Sequence, residues 1–413
     1  MDAIILSIGD ELVLGQTVDT NAAWLSARLA ERGVFTRRHV TVPDDRPAIA
    51  EAIRHAATDA ELVVSTGGLG PTDDDLTRFA LADVMGADVQ LDEQALADIA
   101  AFFQRRGRQM VDRNRVQAMC PVGARMLDNP VGTAPGIHAR IRDAELFFVP
   151  GVPREMMELW RRHIEPTLPA DAQRYIVSAR INTFGKGESD IAEILGDLLS
   201  RNRNPMLGTT VAAGIVSVRV RSEFPQLDQA RRELDSACAA VERCLGSLVF
   251  GQENATLADT VGAMLRSEGL TLTTAESCTG GLIGTMLTDA PGASLYYHGG
   301  WVTYANDAKV EQLGVDAALL ENHGAVSEQV ARAMADGALA RSDADLAISV
   351  TGIAGPDGGT DEKPVGTVWF GLAQTDRPTL AQRHVFPGDR SIIRERAAHH
   401  ALNLVRLRLL GEL

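Results

Sequence analysis

The sequence predicts an α/β protein of three domains, on three observations. Short β-rich apolar runs alternate with longer helical patterns at both the front and the rear of the chain, the order that builds parallel sheets covered by helices. With 413 residues, the chain exceeds what one hydrophobic core usually fills. The run Pro166-Thr-Leu-Pro169 breaks a helical pattern and marks a boundary.

In the front series the expected strands are Ala3 to Ile8, Phe35 to Val42 and Leu62 to Thr66, separated by helices Thr20 to Arg32 and Arg46 to Thr58. A helix begins near Asp73, and the series closes on Phe147-Phe-Val149, Pro150 and a helix from Arg154 to His163. A smaller unit runs from Tyr175 to about Leu245 in the order strand, helix, strand, helix. Its segment Ile215 to Val220 alternates as a half-buried strand does. Gly246 to Asn254 reads as a linker. A third αβ series starts at Thr256, carries a strand over Leu270 to Thr274, and ends on a long amphipathic helix, Ser391 to Leu410. The expected domains are residues 1–168 (α/β), 169–250 (small, α+β) and 251–413 (α/β).

Composition narrows the function. Hydrophobic residues make up 45% and charged residues 23% of the chain, the balance of a folded globular protein. A formal net charge of -15 argues against a broad nucleic-acid or anionic-membrane surface, which gains affinity from clustered cations. Cys120, Cys238, Cys244 and Cys278 show neither paired spacing nor the density of a disulfide scaffold, so a reducing cytoplasm is expected. Met1-Asp2-Ala3 leads straight into a strand and no apolar run reaches membrane-spanning length, so neither export nor anchoring is expected.

The rear series holds the sharpest chemical pattern. Ala275-Glu-Ser-Cys-Thr-Gly-Gly281 follows a strand and opens a helix, which puts Ser277 at a strand-to-helix turn beside unpaired backbone N–H groups. Amide hydrolysis needs a nucleophile, a base and donors aimed at the developing oxyanion. Ser277 supplies the first and Lys309 the second, once its ammonium is desolvated and neutral; the turn of Cys278, Thr279, Gly280 and Gly281 supplies the third. The same residues also read as plain structure: Ser277 as a helix N-cap, Lys309 as a solvated lysine, Tyr304 as a strand aromatic. Cys278 reads as a small buried hydrophobe or as a rival thiolate nucleophile. Ile348-Ser-Val-Thr351 runs into Gly352-Ile-Ala-Gly355-Pro-Asp-Gly-Gly359, where Gly352, Ala354, Gly355 and Gly358 either bring backbone N–H groups to a phosphate or form a long hairpin to a strand over Val365 to Ala373. Arg390, opening the last helix, reads as a bidentate clamp on that phosphate or as an exposed arginine.

From Thr256 onward the chain resembles the CinA C-terminal family of nicotinamide mononucleotide deamidases. The resemblance rests on Ala275-Glu-Ser-Cys-Thr-Gly-Gly281, Val302-Thr-Tyr-Ala-Asn-Asp-Ala-Lys309, His323-Gly-Ala-Val-Ser327, Thr351-Gly-Ile-Ala-Gly-Pro-Asp-Gly-Gly359, Lys363-Pro-Val-Gly-Thr-Val-Trp369 and Phe386-Pro-Gly-Asp-Arg390. It implies a deamidase without cofactor, in which Ser277 attacks the carboxamide of nicotinamide mononucleotide and Lys309 assists proton transfer. Tyr304 would help to organise the pair and Arg390 would support substrate or catalysis, with nicotinic acid mononucleotide and ammonia as products.

In front, Gly67-Gly-Leu-Gly-Pro-Thr-Asp-Asp-Asp75 lies between a strand and a helix. Gly67, Gly68, Gly70, Pro71 and Thr72 read as a loop that approaches phosphate, with Asp73 and Asp74 as metal-holding carboxylates; alternatively, Thr72 or Asp73 caps the helix. Gly9-Asp10-Glu11 ends the first strand at the same carboxyl edge, where such sheets bind ligands, and Asn21 and Pro150-Gly-Val-Pro-Arg-Glu155 close the crevice or serve as turn chemistry alone.

Residues 1 to about 165 resemble the molybdopterin-binding-type domain at the front of CinA proteins. The carriers are Gly9-Asp-Glu-Leu, Leu14-Gly-Gln, Thr20-Asn-Ala-Ala, Thr66-Gly-Gly-Leu-Gly-Pro-Thr72, Asn129-Pro-Val-Gly-Thr-Ala-Pro-Gly136 and Pro150-Gly-Val-Pro153. Thr183-Phe-Gly-Lys-Gly-Glu-Ser189 resembles the start of that family's KH-like middle domain. The resemblance implies hydrolysis of ADP-ribose to AMP and ribose 5-phosphate with a divalent metal (Mg, Mn or Co) and K+, the metal falling to Asp10, Glu11, Asp73 and Asp74. The alternatives are a front domain that only binds a nucleotide or molybdopterin, and a noncatalytic competence-related scaffold. Expected partners are small nucleotides and a second copy in a homodimer. RNA is not expected, because Phe184-Gly-Lys-Gly187 is a poor substitute for the GXXG clamp.

Overall fold

The computed structural model describes residues 1–169 and 174–413, so residues 170–173 at the start of the expected middle domain lie outside the described residues. The described chain forms two compact units, Met1–Val177 with Ser222–Glu233, and Ser178–Arg221 with Leu234–Leu413. No helix among the described residues is long and apolar enough to cross a membrane.

The first unit carries β1 (Asp2–Ile8), β2 (Phe35–Val42), β3 (Leu62–Thr66), β4 (Val89–Leu91), β5 (Met119–Pro121), β6 (Arg125–Leu127), β7 (Gly136–Ile141) and β8 (Ala144–Val149). Its main sheet runs β2-β1-β3-β8-β7-β6. The pairs among β2, β1, β3 and β8 are parallel, while β7 and β6 pair antiparallel at one edge. Successive residues feed different cores: Ile4, Leu6 and Val63 pack in one apolar cluster, Ala3, Ile5 and Val64 in the other. Both faces are covered, so these strands read as continuous apolar runs. The helices Thr20–Glu31 and Arg46–Asp59 are capped by the side chains of Asp19 and Asp45. The expected helix at Arg154 starts at Pro153 and passes into a π-turn over Trp160–Ile164.

Two expectations fail in this unit. The sheet is mixed rather than parallel, because a tight turn with Arg142 at φ 55° sends the chain straight back between β7 and β8. The helix expected near Asp73 begins only at Thr77, capped by Leu76 without a side-chain bond, so Thr72 and Asp73 cap nothing.

Across the middle of the chain, β9 (Tyr175–Phe184), β10 (Met206–Ala212), β11 (Ile215–Phe224) and β12 (Val249–Gln252) form a sheet in the order β10-β11-β9-β12. Neither β10 nor β12 was expected. β10 pairs with β11 as a hairpin but is mostly exposed, so its sequence lacks an apolar stripe. β12 occupies the supposed linker and pairs antiparallel with β9. The KH-like unit therefore has four strands rather than two.

The rear sheet contains β13 (Leu272–Glu276), β14 (Tyr297–Val302), β15 (Leu346–Gly352), β16 (Thr367–Gln374) and β17 (Arg377–Val385), in the order β14-β13-β15-β16-β17. β14, β13 and β15 are parallel, so the loops that leave them meet at one carboxyl edge. β15 and β16 are antiparallel neighbours, which makes the glycine-rich run a hairpin connection. The last helix, Arg390–Leu409, is not amphipathic as expected: it buries Ala397, Ala398, Ala401, Leu402, Leu404 and Val405, and also Asn403 and Arg406. Burial of Arg406 is tolerated because its guanidinium bonds Asn403 Oδ1 and the carbonyls of Ser247 and Val249.

Candidate functional site

β13 lies between β14 and β15, so Ser277 leaves an interior strand of the rear sheet with neighbours on both sides. Its N–H donates to the Val350 carbonyl at 2.9 Å, and the Thr303 N–H donates to the Glu276 carbonyl at 2.8 Å. Ser277 caps no helix: the next one, Leu282–Thr288, starts five residues later with Gly281 at its cap position. The capping falls instead to the Glu276 carboxylate, 1% exposed, which accepts the N–H groups of Gly281, Ile283 and Gly284 at 2.9, 3.1 and 2.9 Å. Gly280 N–H donates to the Ser277 carbonyl. The expected four-residue donor turn thereby shrinks to two N–H groups without a protein acceptor among the described residues, those of Cys278 and Thr279.

Lys309 sits on the helix Asn306–Leu313 and is buried at 1% exposure rather than solvated. Its Nζ lies 3.3 Å from Ser277 Oγ, 2.8 Å from the Thr303 carbonyl and 3.2 Å from the Tyr304 carbonyl. Burial lowers its pKa from the ordinary lysine value, only partly countered by the Cys278 sulfur. A neutral amine has two N–H bonds and one lone pair. In that neutral form the two carbonyls would take the N–H bonds and the lone pair would face the Ser277 hydroxyl. Cys278 is no rival, since burial pushes its thiol up to about 12 and holds it protonated.

Tyr304 contributes differently from expectation. Its carbonyl touches Lys309, whereas its exposed hydroxyl accepts a bond from Arg390 Nη2 at 2.7 Å. Arg390 Nη1 donates to the Gly355 carbonyl at 2.8 Å, so this guanidinium braces the rim instead of standing free as a clamp. Packing explains much of the glycine-rich loop. A Cβ on Gly352 would come within 2.9 Å of the Thr367 carbonyl, Gly355 has φ 79° with Val365 close by, and Ala354 packs in the core; only Gly358 is open. Sequence reasoning missed two residues here. Glu276 was legible as an acid immediately before a helix opening, and Arg394 lies one turn after Arg390, with Nε 3.1 Å from the Cys278 carbonyl and Nη2 2.8 Å from the Thr279 carbonyl.

The first unit has its own crevice of about 390 Å³, lined by Glu11, Asp44, Gly67 to Thr72, Asp74 and Glu155. Asp75, not Asp73 or Asp74, shapes the loop: its carboxylate accepts from Gly70 N–H at 2.6 Å, from Thr72 N–H at 2.8 Å and from the Thr72 hydroxyl. Gly67 N–H goes to the Val149 carbonyl, which leaves Gly68 and Leu69 N–H without a protein acceptor among the described residues. Arg78, fully buried and lowered to about 10 by desolvation, pins the loop through the carbonyls of Leu69 and Gly70. Asn21 joins Thr66 Oγ1 to the Gly151 carbonyl and so ties the end of β3 to the Pro150 turn.

The expected metal ligands do not assemble. Asp73 is 96% exposed and paired with Arg113, while Asp10 exchanges backbone bonds with Asp44. Only Glu11 and Asp74 of that set reach the crevice, beside Asp44, whose carboxyl is raised by burial and by the charges of Asp10, Glu11 and Asp74. Among the described residues no three His, Cys, Asp or Glu side chains are arranged to hold a metal ion.

Gly67 offers a direct test of the loop geometry. At φ 108°, a Cβ there would lie 2.1 Å from the Ile8 carbonyl oxygen. Gly67→Ala is expected to cost at least ~2 kcal/mol of stability in urea denaturation of the first unit. An unchanged midpoint refutes this close approach.

The model for the CinA C-terminal domain matches residues 254–409, the probable molybdopterin binding domain matches 4–170, and the damage-inducible protein CinA KH domain matches 178–251. The chain is 42% identical to a CinA-like protein of Geobacter sp. (strain M21), covering 99% of this chain and 98% of that one. It is 42% identical to a CinA-like protein of Geobacter sulfurreducens, covering 99% and 100%. Among solved structures, the competence/damage inducible protein CihA from Agrobacterium tumefaciens is 43% identical over 37% of this chain and 93% of that one, with a TM-score of 0.36.

Proposed function

The chain belongs to the CinA family, and from that membership we propose that its rear domain hydrolyses the carboxamide of nicotinamide mononucleotide to nicotinic acid mononucleotide and ammonia. One observation carries the reading: a buried lysine whose Nζ lies within hydrogen-bond distance of two carbonyls faces a serine hydroxyl at 3.3 Å. Ser277 Oγ attacks the carboxamide carbon as its proton passes to Lys309 Nζ. The oxyanion forms toward the N–H groups of Cys278 and Thr279. Lys309 returns the proton to the leaving nitrogen and ammonia departs; water then attacks the acyl-serine, with Lys309 again as base, and releases the acid.

The lowered lysine pKa gives this mechanism a pH signature. The base works only unprotonated, so kcat/KM should rise with pH through the free-enzyme pKa of Lys309, with a midpoint below the ordinary 10.5. Ammonia release from nicotinamide mononucleotide, followed from pH 6 to 10, checks it. No ammonia refutes the reaction, and a rate that falls as pH rises refutes Lys309 as base.

For the front domain we propose cleavage of the pyrophosphate of ADP-ribose to AMP and ribose 5-phosphate, supported by the crevice and by the Gly68 and Leu69 N–H groups, which have no protein acceptor among the described residues. No step is assigned to a metal, because the carboxylates do not converge on one. AMP release from ADP-ribose, measured with and without a divalent cation and K+, tests the reading; binding without turnover makes the domain a nucleotide binder instead.

A further inference from the structure

The donors of the rear site are held from behind by a residue with no role in the scheme so far. Arg394 reaches from the last helix to two consecutive carbonyls, those of Cys278 and Thr279, and no hydrogen bond runs from it to a carboxylate among the described residues. The Cys278 carbonyl and the Thr279 N–H belong to one peptide unit. In a trans peptide the two point to opposite sides, so a cation fixed on the oxygen also fixes the direction of the N–H. It further draws electron density from the amide and strengthens the N–H as a donor. The second bond, to the Thr279 carbonyl, holds the peptide unit whose Gly280 N–H closes the turn onto the Ser277 carbonyl. Because Glu276 takes the N–H groups of Gly281, Ile283 and Gly284, the peptide unit under Arg394 carries one of the two donors that remain.

Resting on the deamidase reading, we propose that Arg394 is a positioning residue that aims and polarises the Thr279 N–H toward the oxyanion formed when Ser277 attacks. Arg390, one turn earlier, braces the rim through Gly355 and Tyr304 instead. The two arginines divide the work: one shapes the opening and the other the donors.

The test uses the full chain with nicotinamide mononucleotide and compares wild type, Arg394→Ala and Arg394→Lys, each with and without millimolar guanidinium chloride. Removing one oxyanion donor typically costs 10²–10³ in kcat, and Arg394→Ala is expected to lose on the order of 10², with KM changed less than about threefold. Guanidinium should restore part of the Arg394→Ala rate and none of the Arg394→Lys rate, because the lysine fills the space that the small cation needs. A retained kcat, a loss confined to KM, or no rescue overturns the proposal. If Arg394→Ala does not fold, Arg394→Lys decides: its single ammonium cannot bridge two carbonyls, so kcat must fall at least tenfold at constant KM, and an unchanged kcat overturns the proposal. Ammonia release by the wild type separates the two ideas. Without it the deamidase reading fails and this inference with it; with it, only Arg394 is judged.

Discussion

Ser277→Ala is expected to lose ammonia release from nicotinamide mononucleotide by on the order of 10⁴-fold or more while its unfolding transition stays in place. The alanine removes one oxygen that, among the described residues, shares a side-chain hydrogen bond with Lys309 alone, so folding is little affected. Lys309→Met should lose a similar factor, because a serine hydroxyl without a base is a poor nucleophile. The double variant should be no slower than either single one, since the two groups perform one proton transfer. Additive losses would show that Lys309 acts independently of Ser277. Cys278→Ser should retain the rate, because the thiol is buried and protonated; a collapse of activity there would transfer the nucleophile to sulfur.

Glu276→Ala is expected to cost ~3 kcal/mol or more in urea denaturation of the second unit. Three N–H groups at the start of the Leu282–Thr288 helix, one buried and two partly buried, would lose their acceptor, and each unsatisfied buried group costs roughly 1–3 kcal/mol. The carboxylate also lies at the positive end of that helix, which adds to the loss. Glu276→Gln keeps one acceptor oxygen and should lose less. The alanine variant should also slow deamidation, because freed N–H groups let the Ser277 turn shift. Equal stability of wild type and Glu276→Ala would mean that the helix start finds other acceptors, and the assignment of Glu276 would fall.

The strands that feed two cores were plain in the primary structure. β1 and β3 are short, largely apolar on successive residues and buried, so their composition announces them, whereas β13, Leu272-Thr-Thr-Ala-Glu276, is as buried but announces itself through its β-branched residues. β10 and β12 were not, because exposed residues and glycines carry no apolar stripe, and pairing to β11 and β9 makes them strands. The acidic run Asp73-Asp-Asp75 shows a related failure. Three adjacent carboxylates look interchangeable in a sequence, yet one pairs with Arg113, one faces the crevice and one holds the loop through Gly70 and Thr72.

The family, the αβ order and the pairing of Ser277 with Lys309 as candidates were readable from residues alone, because periodicity and motif spacing are local or recurrent properties of a chain. The fold alone decided which groups are free to react. Sheet order brings the ends of β13, β14 and β15 to one edge, burial strips Lys309 of water, and Glu276, Arg78 and Arg394 occupy backbone groups that the sequence leaves uncommitted. A hydrogen bond between residues more than a hundred positions apart, such as Arg394 to Cys278, has no sequence period to betray it. It exists because a helix and a turn are packed against each other.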